Sequence, residues 1–194
     1  MKANEFIFWG SFSYDRKGPC YIWRPKTANE KKESKLELKT INKAIEPELR
    51  EAWELTTGLQ RLGLRNKPGR KPSFRMNKEN GAFERNSKKG GIDWYRYLTK
   101  ILLPILIPFA IKCQINCPDT LIQEDKAPAH SLKHQQIYFN AAGLQRLLWP
   151  GNSPDLNIIE LCWNYLKQVT IKKGAPRNRA EAERAWRKVW EELE

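Results

Sequence analysis

Asp119-Thr120-Leu121-Ile122-Gln123-Glu124-Asp125-Lys126-Ala127-Pro128-Ala129-His130 and Trp149-Pro150-Gly151-Asn152-Ser153-Pro154-Asp155-Leu156-Asn157-Ile158-Ile159-Glu160 are the two stretches that decide how this chain folds. The first opens on a short run of strand type, 119–123, and delivers Asp125 at its C-terminal end. In the second, Ser153 can cap a helix, with Pro154 at the first position and Asp155 beside the positive dipole end. That helix is expected to carry Glu160 and run through Trp163 and Leu166 toward Lys172. Thirty-four residues separate the two acids. They have room for a helix over 132–142 ended by Gly143, a strand over 144–148 and the start of the acid-bearing helix. An Asp closing a strand and a Glu on a later helix can share divalent cations, the chemistry of phosphodiester cutting and joining. Taken singly, Asp125 reads as a turn residue and Glu160 as a helix-surface charge; the two distinctive motifs together make them a site.

Upstream, the aromatic-rich run 5–14 reads as a strand, 15–18 as a turn and 19–23 as a returning strand. The apolar density of this hairpin places it inside a larger sheet. Residues 27–65 are charged with helical spacing, and Pro47 is the expected break or new helix start. Residues 61–90 hold ten basic side chains against Glu79 and Glu84. A solvated loop is one reading; the other is a DNA-contacting arm with Arg70, Lys71, Arg75, Lys88 and Lys89 as its contacts. Residues 93–113 form a helix expected to bend near Pro104 and Pro108, and an amphipathic helix over 179–193 closes the chain. The order describes an α/β fold, a mixed sheet flanked by helices. Ligand sites in such folds gather at the C-terminal ends of parallel strands.

A length of 194 residues, 40% hydrophobic content and eight tryptophans exclude a largely disordered chain. A net charge of +13 and a pI near 9.7 point to a polyanion, most simply nucleic acid. Cys20, Cys113, Cys117 and Cys162 are scattered and read as reduced thiols. His130 and His134 stand at no zinc-finger spacing from Cys113 and Cys117. The apolar run 101–111 is about half the roughly 20 residues a membrane span needs, and prolines interrupt it, so it reads as core.

The first motif resembles the Q/E-D-N-A-P-x-H box of mariner-superfamily transposases, which holds their second catalytic Asp. The second resembles their W-P-x-x-S-P-D-L-N-P-I-E box, which ends on the catalytic Glu. The 34-residue interval is one of that superfamily's spacings. Trp163 and Lys167 fit the W-x-x-x-K continuation, and Phe8-Trp9-Gly10 is similar to the family's V-W-G strand. Lys126 stands where the family has Asn, placing a cation beside the site, and Ile158 where it has Pro. The resemblance implies a ribonuclease-H-like DDE catalytic domain spanning 1–194, with 27–91 as a helical and basic insertion. It further implies Mg2+ or Mn2+ held by Asp125 and Glu160, DNA as partner, a homodimer, nuclear localisation, and neither a membrane nor an organic cofactor.

His130 reads as a support that hydrogen-bonds the loop after Asp125, with substrate contact as the alternative, and Asn157 as a second supporting residue; Asp155 and Asn157 shape the helix start rather than bind metal. The family's first catalytic Asp lies on a strand before the V-W-G strand, whereas Met1 stands eight residues before Trp9. The resemblance therefore implies a domain incomplete at its N-terminus, its first strand missing and cleavage impaired; Asp15, in the hairpin turn, is no substitute. Two functions are expected on this basis. One is DNA strand cleavage and transfer; the other is a catalytically dead remnant that binds DNA through its basic segment.

Overall fold

The computed structural model describes residues 6–14, 16–62, 73–85, 91–125, 127–130, 135–147, 153–172 and 174–193. The chain divides into two compact units, Met1–Arg24 with Ser87–Glu194, and Pro25–Asn86.

In the first unit, β1 (Ile7–Ser13) pairs antiparallel with β2 (Arg16–Trp23). Alternation along the strands divides the hairpin into two faces. Phe8 and Cys20 turn toward Trp163, Trp186 and Trp190. Trp9, Tyr21 and Trp23 turn toward a second cluster built on Tyr97, Ile101, Leu102 and Phe139. Among the described residues the hairpin pairs with no further strand, unlike the larger sheet expected; side chains from helices cover it on both faces instead. The turn is also tighter than 15–18, since Lys17 and Gly18 belong to β2. The strands shift register between Gly10 and Phe12. A Cβ on Gly18 would lie 2.4 Å from the Ser11 carbonyl oxygen, so only glycine allows that approach. Asp15 lies outside the described residues.

One long helical stretch supplies the centre of the core. It comprises α2 (Trp94–Tyr97), a π-helical segment (Leu98–Leu106) and α3 (Ile107–Asn116). Asp93 caps it, its side chain accepting from the Arg96 backbone N–H at 3.0 Å. The expected bend takes the form of the π segment. Pro104 has no N–H to give, and the wider turn lets the Ile107 N–H reach back to the Leu102 carbonyl. By length and composition Trp94–Asn116 could cross a membrane, exceeding the 101–111 run read from sequence. Tyr97, Leu98, Ile101, Leu102, Leu106 and Ala110 are nevertheless buried against the rest of the unit.

After this stretch come β3 (Leu121–Ile122), α4 (Gln135–Ala141) and β4 (Gln145–Arg146), with β3 and β4 parallel. The strand expected over 144–148 is thus two residues long where described. A 3-10 turn, Pro154–Leu156, precedes α5 (Ile159–Lys172), and α6 (Arg179–Glu192) comes last. Ser153 and Pro154 therefore open the 3-10 turn rather than α5 itself. The α-helix starts only after Asn157, whose carbonyl accepts from the Glu160 N–H at 2.9 Å. Asn178 caps α6, and the Lys17 ammonium donates to the carbonyls of Glu191 and Leu193 at its far end, 2.7 Å from the latter.

The second unit is α1 (Ala28–Leu62) with the segment 73–85 folded on it. Thr27 and Glu30 form a reciprocal capping box, with bonds of 3.1 and 2.9 Å. Pro47 does not break α1. It removes one hydrogen bond, at about 3 kcal/mol, but a long helix stands on either side of it. The Asn42 amide pairs with both backbone groups of Phe83, at 3.0 and 2.8 Å, and Trp53 meets Phe74 edge-on.

Candidate active site

The backbone leaving β3 sets the site by parity. Side chains alternate across a strand, and the alternation continues past Ile122. Ile122 is buried and the Glu124 side chain is 5% exposed, whereas the Asp125 side chain is 57% exposed. The strand expected over 119–123 is described as Leu121–Ile122 alone, and Asp125 follows three residues beyond its C-terminal end.

Two groups hold the Asp125 carboxylate. The Ala127 backbone N–H donates to its Oδ1 at 3.1 Å, and His130 Nδ1 approaches the same oxygen at 2.6 Å. His130 Nδ1 also lies 3.2 Å from the Asp125 carbonyl oxygen, closing the loop on itself. The hydrogen bond from His130 keeps the Asp125 carboxyl below its ordinary pKa, against the opposing effect of burial. Burial by itself disfavours the His130 cation, but the hydrogen bond to Asp125 and the charge of Glu124 outweigh it and raise the pKa. The pair is thus an imidazolium and a carboxylate under mildly acidic conditions, between the two ordinary values.

Glu160 lies in the first turn of α5, where the positive end of the helix favours a carboxylate. The Gln123 amide donates a long hydrogen bond of 3.5 Å to Asn157 Oδ1, joining the strand of Asp125 to the start of the Glu160 helix. Asp125, His130, Asn157 and Glu160 all line one cavity of about 680 Å³, whose other walls come largely from β1 and α3. The two acids read from sequence are therefore brought to a single opening.

Hard oxygen donors of this kind suit a divalent cation such as magnesium, which takes one or two carboxylates and completes its shell with water and phosphate. Asp125 Oδ1 is engaged by His130 and Ala127, and the carboxylate remains more than half exposed toward solvent. The donors fit such an ion as a partial set. Among the described residues no group of three or more histidine, cysteine or acidic side chains could hold a metal.

The basic arm is represented by Arg75, which is exposed and whose carbonyl accepts from the Asn80 amide at 2.8 Å. Arg70, Lys71, Lys88 and Lys89 lie outside the described residues, as does Lys126.

Sequence reasoning missed three residues behind the site. The Tyr97 hydroxyl donates to Glu124 Oε1, and its ring lies 4.2 Å from that of His130. Burial, then the Glu124 charge, pushes the Tyr97 pKa well above its ordinary value, keeping the phenol a donor. Arg146 stands 2.9 Å from Glu124 Oε2 as an ion pair without the alignment of a hydrogen bond. The parity of Glu124 relative to Asp125 was a usable signal; its partners, on other elements, were not.

Residues 90–182 match a family described as DDE superfamily endonuclease. The chain is 38% identical over 48 residues to the transposable element Tcb2 transposase of Caenorhabditis briggsae, a stretch covering 25% of this chain and 18% of that protein. It is 33% identical over 72 residues to the Tcb1 transposase of the same organism, covering 36% and 26% respectively. The chain thus matches about a quarter or less of the length of these relatives. The matched family segment contains both motif acids, the parallel strand pair and the helix of Glu160. Over residues 90–182 the chain is similar to DDE superfamily endonucleases, and the two relatives it matches are transposases of transposable elements.

Proposed function

We propose that this chain is the catalytic part of a mariner-type DNA transposase, with Asp125 and Glu160 as ligands of magnesium or manganese and DNA as substrate. The observation that carries this reading is the shared cavity, lined by the acids of both motifs within a domain of the matching family. The parallel pair β3–β4 and the hairpin before it support a ribonuclease-H-like sheet. The separate unit Pro25–Asn86 supports an insertion over 27–91. Action as a dimer in the nucleus belongs to the same reading.

Endonucleases of this superfamily generally use divalent metal ions. Such ions, when held, stabilise the attacking and leaving oxygens of an in-line displacement. The chain's own residues do the positioning. His130 keeps Asp125 ionised and fixes its loop, while the Gln123–Asn157 bond holds the Asp125 strand against the helix of Glu160. In the first step a water oxygen attacks phosphorus and the P–O3′ bond breaks, leaving a 3′-hydroxyl and a 5′-phosphate. In the second that hydroxyl attacks a target phosphorus, forming one phosphodiester and releasing another 3′-hydroxyl.

A second reading is a DNA-binding module without cleavage. It is favoured by the net charge of +13 and by the lack of a three-acid group among the described residues. Incubation of the chain with duplex DNA and Mn2+ separates the two. Cleavage lost in both Asp125→Ala and Glu160→Ala supports the transposase reading, and cleavage that survives either change sinks the site. Salt-dependent binding without cleavage establishes the second reading.

A further inference from the structure

Neither Asp125 nor His130 lies in regular structure, yet both must be held still for a site at the cavity mouth to work. The ladder does not do this, because β3 is two residues long and the Leu147 N–H to Ile122 carbonyl bond, 2.8 Å, is formed three residues short of Asp125. Beyond Ile122 the chain is fastened through Glu124. One carboxylate oxygen accepts from the Tyr97 hydroxyl, and the other faces the Arg146 guanidinium at 2.9 Å.

Both partners are themselves fixed. Arg146 is the register partner of Ile122 in β4 and lies over the Phe139 ring, 5.0 Å from its centroid, with Phe139 fully buried. Tyr97 is 1% exposed on α2, and the same ring whose hydroxyl binds Glu124 packs on His130. Tyr97 therefore touches both ends of the 124–130 loop. A buried charge pair is seldom the most stabilising choice for such a position, since apolar side chains of similar volume often do as well or better. What the pair adds is direction: a carboxylate clamped from two elements fixes the backbone that carries the next side chain.

We infer that Tyr97, Glu124 and Arg146 form a positioning frame that aims Asp125 at the cavity and seats His130 beside it. Glu124, though it adjoins the site, is a structural carboxylate and not an ion ligand, because both its oxygens are committed. The inference rests on the reading of Asp125 as a ligand, and its test separates the two. The full chain, labelled with 15N-histidine, gives an Nδ1–H resonance for His130, assigned by its loss in His130→Gln. Mn2+ affinity is measured alongside by electron paramagnetic resonance.

Arg146→Met alone strands the Glu124 charge and lowers the folding midpoint. The double variant Glu124→Gln with Arg146→Met removes both charges and recovers the midpoint. The frame predicts that this refolded double variant still loses the His130 resonance and binds Mn2+ about tenfold or more weakly, the usual cost of losing an outer partner. Tyr97→Phe, the mildest change, is expected to move both readouts in the same direction. A double variant or Tyr97→Phe protein with the wild-type resonance and Mn2+ affinity overturns the proposal. If Asp125→Asn leaves Mn2+ affinity unchanged, the ligand reading fails instead, and the His130 resonance alone then decides the frame.

Discussion

Gly10→Ala tests the packing of the hairpin against the tryptophan cluster. A Cβ at position 10 would lie 2.7 Å and 2.9 Å from two atoms of the Trp190 ring and 3.1 Å from Trp163. Trp190 has nowhere to retreat. It is 3% exposed, stacks on Trp163 with centroids 5.7 Å apart, and donates its indole N–H to the Gly18 carbonyl at 3.1 Å. Moving the ring gives up that bond, and moving the strand breaks the β1–β2 register. One added methyl in a full core costs about 1–3 kcal/mol, and about 2–4 °C of midpoint accompany each kcal/mol in a chain of this size. Urea unfolding followed by tryptophan fluorescence should therefore show a lower midpoint with an unchanged slope. Gly91→Ala, where nothing lies within 4 Å, should stay within about 0.5 kcal/mol of wild type. Adding Trp190→Phe to Gly10→Ala removes the offending ring atoms, so the double variant should lose less than the sum of the two singles. Wild-type stability of Gly10→Ala, or strict additivity in the double variant, would refute the contact.

Phe139→Ala removes a fully buried ring that also carries the Arg146 guanidinium, and should cost about 3–5 kcal/mol in unfolding experiments. The Asp125–His130 pair should add pH-dependent stability that is absent in His130→Gln. Because His130 is raised above 6.5, its share is fully present below that value and lost as pH rises through the raised pKa. Because Asp125 is depressed below 3.8, its share is present above that value and lost as pH falls through the lowered pKa; midpoints for both proteins from pH 3 to about 9 should trace this window. Neutralising Arg70, Lys71, Lys88 and Lys89 together should reduce the slope of log affinity for DNA against log salt by about 0.9 for each lost phosphate contact, as read by fluorescence anisotropy. An unchanged slope would remove that segment from the interface.

The features legible in sequence are those written in local patterns. Alternating aromatics announced the hairpin, the run before Asp125 announced a strand end, and the apolar face of 179–193 announced α6. Pro47 misled because a proline's effect depends on how much helix surrounds it, which local rules do not weigh. Lys17 and Gly18 resembled a turn because glycine marks turns, whereas here it permits two strands to approach at a register shift. Ser153 and Pro154 marked a helical start correctly but one 3-10 turn too early, since Asn157 intervenes. The partners of Glu124 were illegible for a different reason. Tyr97 and Arg146 lie 27 and 22 residues away, and only the helix and the parallel pairing of β4 with β3 bring them to it.

The alternation past β3 makes chain length itself a determinant of chemistry. Delete Gln123, or insert a single residue beside it, and Glu124 and Asp125 exchange faces. The acid now clamped by Arg146 would turn outward, and the acid now offered to the cavity would be driven toward a guanidinium. The composition would be almost unchanged and both carboxylates would survive, yet their duties would be exchanged. An even-numbered change keeps the facing but moves the acid along the groove. The number of residues between strand and motif should therefore matter as much as their identity, and a library varying length alone would expose that rule.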